Sequence, residues 1–232
     1  MKQLLKGIFK ELGIEYQEEH YDKFDTYASL LIEWNKKFNL TGITDLRDIY
    51  IKHFGDSLLL YEGIKATESL IDVGSGAGFP GIPLKIAGYK QKTVLLEANG
   101  KKASFLEHVI KTLELDNIFV CNKRAENAAR EEAYRELFDV VVARAVAPLS
   151  ILLEYCVPFI KREGIFIAMK TDNSELQSAE NAMKQLSVEI LKEDKQTIPF
   201  SDIKRNNMYF KKTRNTAYKY PRPDGVPKKK PL

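Results

Sequence analysis

Ser69-Leu70-Ile71-Asp72-Val73 running into Gly74-Ser75-Gly76-Ala77-Gly78-Phe79-Pro80-Gly81 decides how this chain reads. The first five residues are a short apolar run, which suits a strand buried on both faces of a parallel sheet. The glycines that follow let the backbone turn tightly and approach a ligand where a Cβ would intrude. Outward from there, GIPLKIAGY (81–89) reads as a helix and TVLLEA (93–98) as a second strand ending in Glu97. KKASFLEHVIKTLEL (101–115) is an amphipathic helix and IFVCNKRAE (118–126) a third strand with its exit loop. LFDVVVARAV (137–146), LSILLEYCVPFI (149–160) and GIFIAMK (164–170) continue as strand, helix and strand. Such alternation predicts an α/β chain with a parallel sheet and helices on both faces. VEILKEDKQTIPF (188–200) and NNMYFKKTRN (206–215) then read as an antiparallel pair at the sheet edge.

The segment before Ser69 has a different rhythm. Tyr21, Phe24, Ala28, Leu31, Trp34 and Phe38 recur at three- and four-residue steps, the spacing of one helix face, and read as core. Asn39, Thr41 and Gly42 break the pattern. A second helix is expected from Asp45 through Leu60, ended by Gly63, with Ile49, Phe54, Leu58 and Tyr61 available for packing. The organisation expected is a helical extension over 1–64, a core over 65–220 and a basic tail over 221–232.

At 232 residues, with 44% hydrophobic and 29% charged residues, the chain can bury a sizeable core. No apolar run has the roughly 20 residues needed to cross a bilayer, so no membrane role is expected. MKQLLKGIFKELG (1–13) lacks the apolar core and cleavage site of a secretion signal. Cys121 and Cys156 are too few and too isolated for a disulfide framework or a metal knuckle. They read as buried thiols of a cytoplasmic protein with no metal. Charge is unevenly placed. Residues 201–232 carry ten Lys or Arg against Asp202 and Asp224, net +8, which leaves −4 for residues 1–200 of a total of +4. A basic segment on an acidic body suggests a polyanionic partner met at one edge. Lys228, Lys229 and Lys230 by themselves read as a solvated tail.

In sheets of this kind ligands bind beyond the carboxyl ends of the strands, beside the first one. Two cofactor classes fit the loop there. Gly76, Gly78 and Gly81 satisfy the dinucleotide pattern G-x-G-x-x-G. Gly74, Gly76 and Gly78, preceded by Asp72, satisfy the acid-x-G-x-G-x-G loop of S-adenosylmethionine enzymes. Register favours the second: a carboxylate at the strand terminus repels a pyrophosphate and suits a donor bearing a sulfonium and an amino group. Glu97, 25 residues after Asp72, is placed to accept hydrogen bonds from both ribose hydroxyls of an adenosine.

Several motifs together make the chain resemble a known family. Trp34-Asn35 precedes Asn39-Leu40-Thr41, and His53 precedes Asp56-Ser57-Leu58. The glycine loop comes next, then Lys101-Lys102 with Phe105-Leu106, and Arg124-Ala125-Glu126. Asp139 with Arg144-Ala145 and the closing Tyr220-Pro221-Arg222 complete the series. In this order, from about Ile14 to the last residue, they are similar to the bacterial ribosomal RNA small subunit methyltransferase G family. Lys52-His53 departs from the more usual Arg-His pair and keeps the charge. The resemblance implies a class I S-adenosylmethionine-dependent methyltransferase, Rossmann-like, with an N-terminal helical extension. It also implies methylation of guanine N7 in the decoding-region hairpin of 16S ribosomal RNA, at guanine 527. The partner is then that RNA, free or within the small ribosomal subunit or its precursor, met by a monomer. By position, Gly74 and Phe79 are expected to line the cofactor, Ala125 and Glu126 to lie near the adenine, and Arg144 beside the methionine end.

The residues fit that chemistry in part. Guanine N7 has an in-plane lone pair and no proton, so no general base is required. An Asp-Pro-Pro-Tyr type motif for amine methylation is missing after the fourth strand, where Val142-Ala143-Arg144-Ala145 stands instead. The candidate set is Arg144 and His53 for catalysis, with Asp72, Gly74, Ser75, Gly76, Gly78, Phe79, Glu97, Ala125, Glu126 and Arg144 for the cofactor. Lys170, Arg214 and Arg222 are the candidates for substrate. Asp56 and Ser57 are read as fastening the extension over the site, and Asp139 as anchoring a turn. Lys204, Arg205, Lys211, Lys212, Arg214, Lys219 and Arg222, interleaved with Tyr209, Tyr218 and Tyr220, are expected to track the RNA backbone. If six of them neutralise phosphates, affinity falls about a thousandfold or more between about 50 and 200 mM salt. The alternatives are a methyltransferase for another RNA base, a nicotinamide-dependent oxidoreductase, and a non-catalytic RNA-binding protein of the same fold. Thermal unfolding separates the cofactor classes. S-adenosylhomocysteine at about a hundredfold excess over its Kd should stabilise the chain by about 2.7 kcal/mol, and NADH should leave it unchanged.

Overall fold

The computed structural model describes residues 1–64, 66–67 and 69–232. Lys65 and Glu68 lie outside the described residues, and the boundary expected between 64 and 65 falls on the first of them. The extension comprises α1 (Lys2–Glu11), α2 (Glu18–Asn35), α3 (Leu46–Asp48), a π-helix over Ile49–Gly55, α4 (Asp56–Leu58) and α5 (Tyr61–Ile64). The core follows as β1 (Ser69–Val73), α6 (Gly81–Ile86), β2 (Lys92–Leu96), α7 (Gly100–Thr112), β3 (Ile118–Cys121) and α8 (Ala125–Ala128). It continues with β4 (Phe138–Arg144), α9 (Leu149–Cys156), β5 (Ile160–Lys170), α10 (Leu176–Leu186), β6 (Val188–Thr197), β7 (Lys204–Lys212) and α11 (Val226–Lys229).

The seven strands lie in the order β3-β2-β1-β4-β5-β7-β6. The first five are parallel, and β7 enters antiparallel between β5 and β6. The expected edge pair is therefore present. It is joined to the parallel strands by pairing such as Ile167 with Tyr209. β1, with β2 and β4 at its sides, is buried from Leu70 to Val73, as its apolar Leu70, Ile71 and Val73 require, and it carries the Asp72 carboxylate inward with them.

The helical stripe of α2 packs inward as read: Phe24, Ala28 and Leu31 are buried. The second helical stretch differs from its expectation. It is not one α-helix, because its middle is a seven-residue π-helix, and Gly63 lies inside α5 rather than after the last turn. A π-helix bonds i to i+5, widening the turn and shifting which side chains share a face. Here the register that results directs the Lys52 carbonyl, the His53 ring and the Asp56 carboxylate to one guanidinium, that of Arg144.

The extension is built into the core. One apolar cluster contains Leu5, Phe9, Phe24 and Phe54 from the extension with Ile82, Leu95 and Phe105 from the α/β part. Burying each large apolar side chain stabilises by about 1.5–3 kcal/mol, so this seam holds the two parts together. The opposite face of the sheet has its own cluster, including Val73, Val141, Leu153 and Phe159. Beyond residue 220 the chain is likewise fastened. Arg130 donates to the Pro221 carbonyl at 2.6 Å, Glu154 binds the Arg222 guanidinium at 2.5 Å, and Gly225 N–H donates to Glu126 at 3.2 Å. Lys228, Lys229 and Lys230 are exposed, as a solvated tail would be, but the first two sit in α11. Cys121 and Cys156 are free and buried.

Candidate functional site

A cavity of about 420 Å³ opens across the carboxyl ends of four adjacent strands, β3, β2, β1 and β4. Its floor is the loop after β1, whose Gly74, Gly76 and Gly78 have φ of +73°, +60° and +103°. L side chains rarely adopt that region, so glycine is required. A Cβ on Gly74 would stand 2.6 Å from Val146. One on Gly76 would meet only a carbonyl at 3.9 Å, and would occupy the open space of the cavity instead. The loop is stitched to its neighbour strand by Gly74 N–H and Ser75 N–H, which donate to the Leu96 carbonyl at 2.8 and 3.1 Å.

Three carboxylates shape the site differently. Glu97, at the end of β2, accepts from Gly76 N–H at 2.9 Å and Asn99 N–H at 2.7 Å, one on each oxygen. Each carboxylate oxygen accepts two hydrogen bonds, so a lone pair on each stays available at the cavity wall. Glu126 lines the cavity beside Ala125 and is tied to Gly225. Asp72 does not line it. Its carboxylate is fully buried beneath the loop, where one oxygen accepts from Gly81 N–H at 2.9 Å and the other has no partner. Burial pushes its pKa up to about 7. Asp72 thus holds the loop to the start of α6 rather than facing a ligand, and Gly78, packed against Ile82 and Tyr27, also stays outside the lining.

Arg144 closes the other end. Its guanidinium donates to the Lys52 carbonyl at 3.2 Å, to Asp56 Oδ2 at 2.9 Å and to His53 Nδ1 at 3.0 Å, and sits 5.0 Å from the Phe79 ring centroid. Asp56 has no exposed surface and also binds Arg205 from β7 at 2.7 Å. His53 stacks on Phe79 at 4.3 Å between centroids and 16° between planes. Its Nε2 is 2.8 Å from Thr41 Oγ1. Burial, then the Arg144 charge, pushes the His53 pKa down to about 3, so the ring is neutral near pH 7. Asp56 fastens this segment to the core as read from the sequence, whereas Ser57 does not: its hydroxyl donates to the His53 carbonyl at 2.6 Å, a bond within the segment itself. Asp139 anchors the sheet, accepting from Ser69 at 2.6 Å.

The structure thus gathers Gly74, Ser75, Gly76, Phe79, Glu97, Ala125, Glu126, Arg144 and His53 around one cavity. Lys170, Arg214 and Arg222 are not in its lining. Lys170 is held by Glu175 and the Ala147 carbonyl, Arg222 by Glu154, and Arg214 is exposed. Of the seven cations expected to track RNA, four are engaged by carboxylates of the protein, and Lys204, Arg214 and Lys219 stay exposed. Arg205 serves Asp56, Lys211 pairs with Glu163, and Lys212 is buried against Glu136 at 2.6 Å. Tyr209 and Tyr220 are buried too. Six free phosphate-binding cations are therefore not offered by this segment, and the steep salt dependence built on them does not follow. Residues not anticipated at the site include Leu40, Thr41, Lys102, Lys123, Arg124, Val146 and Tyr155, which line it, and Tyr27, whose hydroxyl donates to the Ala77 carbonyl in the glycine loop. The helix break at Asn39–Gly42 was the available signal for the first two. Tyr27 lies on the same buried face of α2, three residues after Phe24 and four before Leu31, so the stripe's own spacing was its signal.

Residues 20–209 match the model of the family described as rRNA small subunit methyltransferase G. The chain belongs to that family. Proteins named ribosomal RNA small subunit methyltransferase G from Acetivibrio thermocellus and Alkaliphilus metalliredigens are 46% and 41% identical to it. Both alignments span 100% of this chain and, in that order, 96% and 98% of the relative. Among solved structures, M. jannaschii TYW2 in complex with AdoMet superposes with a TM-score of 0.52 at 14% identity, covering 68% of this chain and 76% of that one. Ribosomal protein L11 methylase from Lactobacillus delbrueckii subsp. bulgaricus gives 0.52 at 18%, covering 68% and 77%. These likenesses speak for the fold alone, which is the class I methyltransferase sheet. Among the described residues no helix is long and apolar enough to cross a membrane, and no His, Cys, Asp and Glu cluster is arranged to hold a metal.

The neutral His53 carries a pH signature. The unfolded chain binds this proton near pH 6.5 and the folded chain only near 3, so stability falls as pH is lowered through that window. Between pH 7.5 and 5 the loss is about 2 kcal/mol from this residue. Asp72 acts in the opposite sense, since its raised pKa favours the folded state at low pH, but it is common to wild type and variant. In urea unfolding, the stability of His53→Gln relative to wild type should therefore shift in the variant's favour by about 2 kcal/mol between about pH 7.5 and 5.

Proposed function

We propose that this chain transfers the methyl group of S-adenosylmethionine to N7 of a guanine in 16S ribosomal RNA. The observation that carries the reading is the glycine-floored cavity with Glu97 on its wall, in a chain of the small subunit methyltransferase G family. Gly74, Ser75, Gly76 and Phe79 form the surface against which the donor lies, with the space at Gly76 left open by its missing Cβ. Glu97 offers its remaining lone pairs to the ribose hydroxyls, and Ala125 and Glu126 border the adenine. Arg144 has five N–H donors, more than its three protein partners require, and directs the rest to the donor's carboxylate. Asp72 and Gly78 act from beneath, by fixing the loop.

The donor supplies an electrophilic methyl group on a sulfonium. Because N7 has no proton to lose, the side chains need only hold the guanine in line with that methyl. Orientation of this kind accounts for about 7–11 kcal/mol of a barrier in favourable cases. His53 is accordingly a positioning residue: both ring nitrogens are engaged, by Arg144 and Thr41, and it holds the wall formed with Phe79. The target must be unpaired or extruded to reach the cavity. Arg214 is exposed and suits a phosphate contact, whereas Lys170 and Arg222 reach RNA only by releasing Glu175 and Glu154. We place residues 1–64 as an extension, 65–220 as the catalytic core and 221–232 as a tail. The substrate form we favour is the RNA within the small subunit or its precursor, met by a monomer in the cytoplasm without a metal.

The test is transfer from labelled S-adenosylmethionine to small subunits from cells lacking this gene, followed by digestion and separation of nucleosides. Label should appear in 7-methylguanosine and vanish with Gly76→Asp, whose carboxylate would stand in the cavity beside Glu97. Label in another nucleoside would overturn the N7 assignment, and no label would overturn the reaction.

A further inference from the structure

Thr41 stands at the cavity end that Arg144 closes, on the short connection between α2 and α3. Its backbone is clamped from both sides by Asn35. The Asn35 side chain accepts from Leu40 N–H at 2.6 Å and Thr41 N–H at 3.0 Å, and donates to the Thr41 carbonyl at 2.9 Å. The side chain is held as firmly. Oγ1 lies 2.8 Å from His53 Nε2 and accepts from Ile43 N–H at 3.1 Å.

The direction of the first bond follows from Arg144. A guanidinium has only donors, so the His53 Nδ1 that it meets at 3.0 Å is the unprotonated nitrogen. A neutral imidazole then carries its proton on Nε2, and burial beside a cation keeps the ring neutral at physiological pH. Nε2–H therefore donates to Thr41 Oγ1. A hydroxyl has two lone pairs and one proton. Both lone pairs are taken, by His53 and Ile43, and what remains is a single donor at the cavity wall, with no acceptor for it among the described residues.

We infer that the Thr41 hydroxyl donates to O6 of the target guanine and selects it over adenine. This rests on the proposed guanine-N7 reaction. With N7 turned toward the methyl group, guanine presents O6, an acceptor, at the neighbouring position of the same edge. Adenine presents an amino group there. Meeting a hydroxyl that has no lone pair left to accept with, that amino group loses its partner and leaves the Thr41 proton unpaired. The chain Arg144–His53–Thr41 thus fixes the polarity of one hydroxyl, and through it the identity of the base.

The test uses small subunits reconstituted with 16S RNA carrying either guanine or 2-aminopurine at the target; the analogue keeps N7 and lacks O6. Initial rates of N7 methylation are compared for wild type, Thr41→Ser and Thr41→Val, with S-adenosylhomocysteine affinity followed by tryptophan fluorescence. Wild type should be slower on 2-aminopurine by about tenfold or more. Thr41→Val should be slower on guanine by a similar factor and show little further loss on the analogue. Thr41→Ser should behave as wild type, and cofactor affinity should be unchanged in all three. No penalty for 2-aminopurine with wild type overturns the inference, even if Thr41→Val fails to fold. So does a full penalty retained by Thr41→Val, or a loss confined to cofactor affinity. Failure of wild type to form 7-methylguanosine from the guanine substrate would instead remove the underlying reaction.

Discussion

Asp56 is a carboxylate with no exposed surface that binds two guanidiniums, Arg144 from the end of β4 and Arg205 from β7. The arginines lie 88 and 149 positions after Asp56 in the chain, and the three join the extension, the cavity end of β4 and the antiparallel part of the sheet. A buried ion pair of this sort adds little net stability over an apolar substitute, but removing one partner costs about 3–5 kcal/mol because a charge is left stranded. Here removal would strand two. The constraint is therefore one of arrangement: Asp56 ties the extension to β4 and β7 at once.

That arrangement builds the site. Leu40, Thr41 and His53 reach the cavity from the extension, while the glycine loop, Glu97 and Glu126 reach it from the core. Tyr27 adds a second fastening by donating to the loop itself at Ala77. The same cluster sets the charge at this end. One carboxylate and two guanidiniums beside a neutral imidazole leave a net positive charge, which complements an anionic group on the bound donor. A cavity walled by two parts of the chain can hold its reacting partners in line only while those parts stay docked, which ties the reaction's geometry to a fold-level contact.

Much of this was legible in the residues. Apolar runs ending in glycines or acids mark the strands, and 3.6-residue periodicity marks α2, because both patterns follow from burial that the sequence must encode locally. That the glycine loop, Glu97 and Arg144 line one cavity was readable because each sits at a strand's carboxyl end, a position given by chain order alone. What stayed hidden depends on partners far along the chain. Lys212 reads as a surface cation until Glu136, 76 residues earlier, is seen beside it, and Arg205 does so until Asp56 is. The π-helix leaves no compositional mark: Ile49-Tyr50-Ile51-Lys52-His53-Phe54-Gly55 would serve an α-helix equally, and only tertiary contacts select the wider turn. Thr41 was visible as a helix break, but its role depends on which His53 nitrogen Arg144 occupies.

The most direct measurement is backbone hydrogen exchange of wild type and Asp56→Asn, with and without S-adenosylhomocysteine, comparing residues 49–58 with residues 74–79. If Asp56 docks the extension that completes the site, both segments should lose protection together in the variant, and the ligand should restore both together. Loss of protection in 49–58 with 74–79 unchanged, and ligand protection of the loop as strong as in wild type, would show that the cofactor site stands without the extension and would contradict the account.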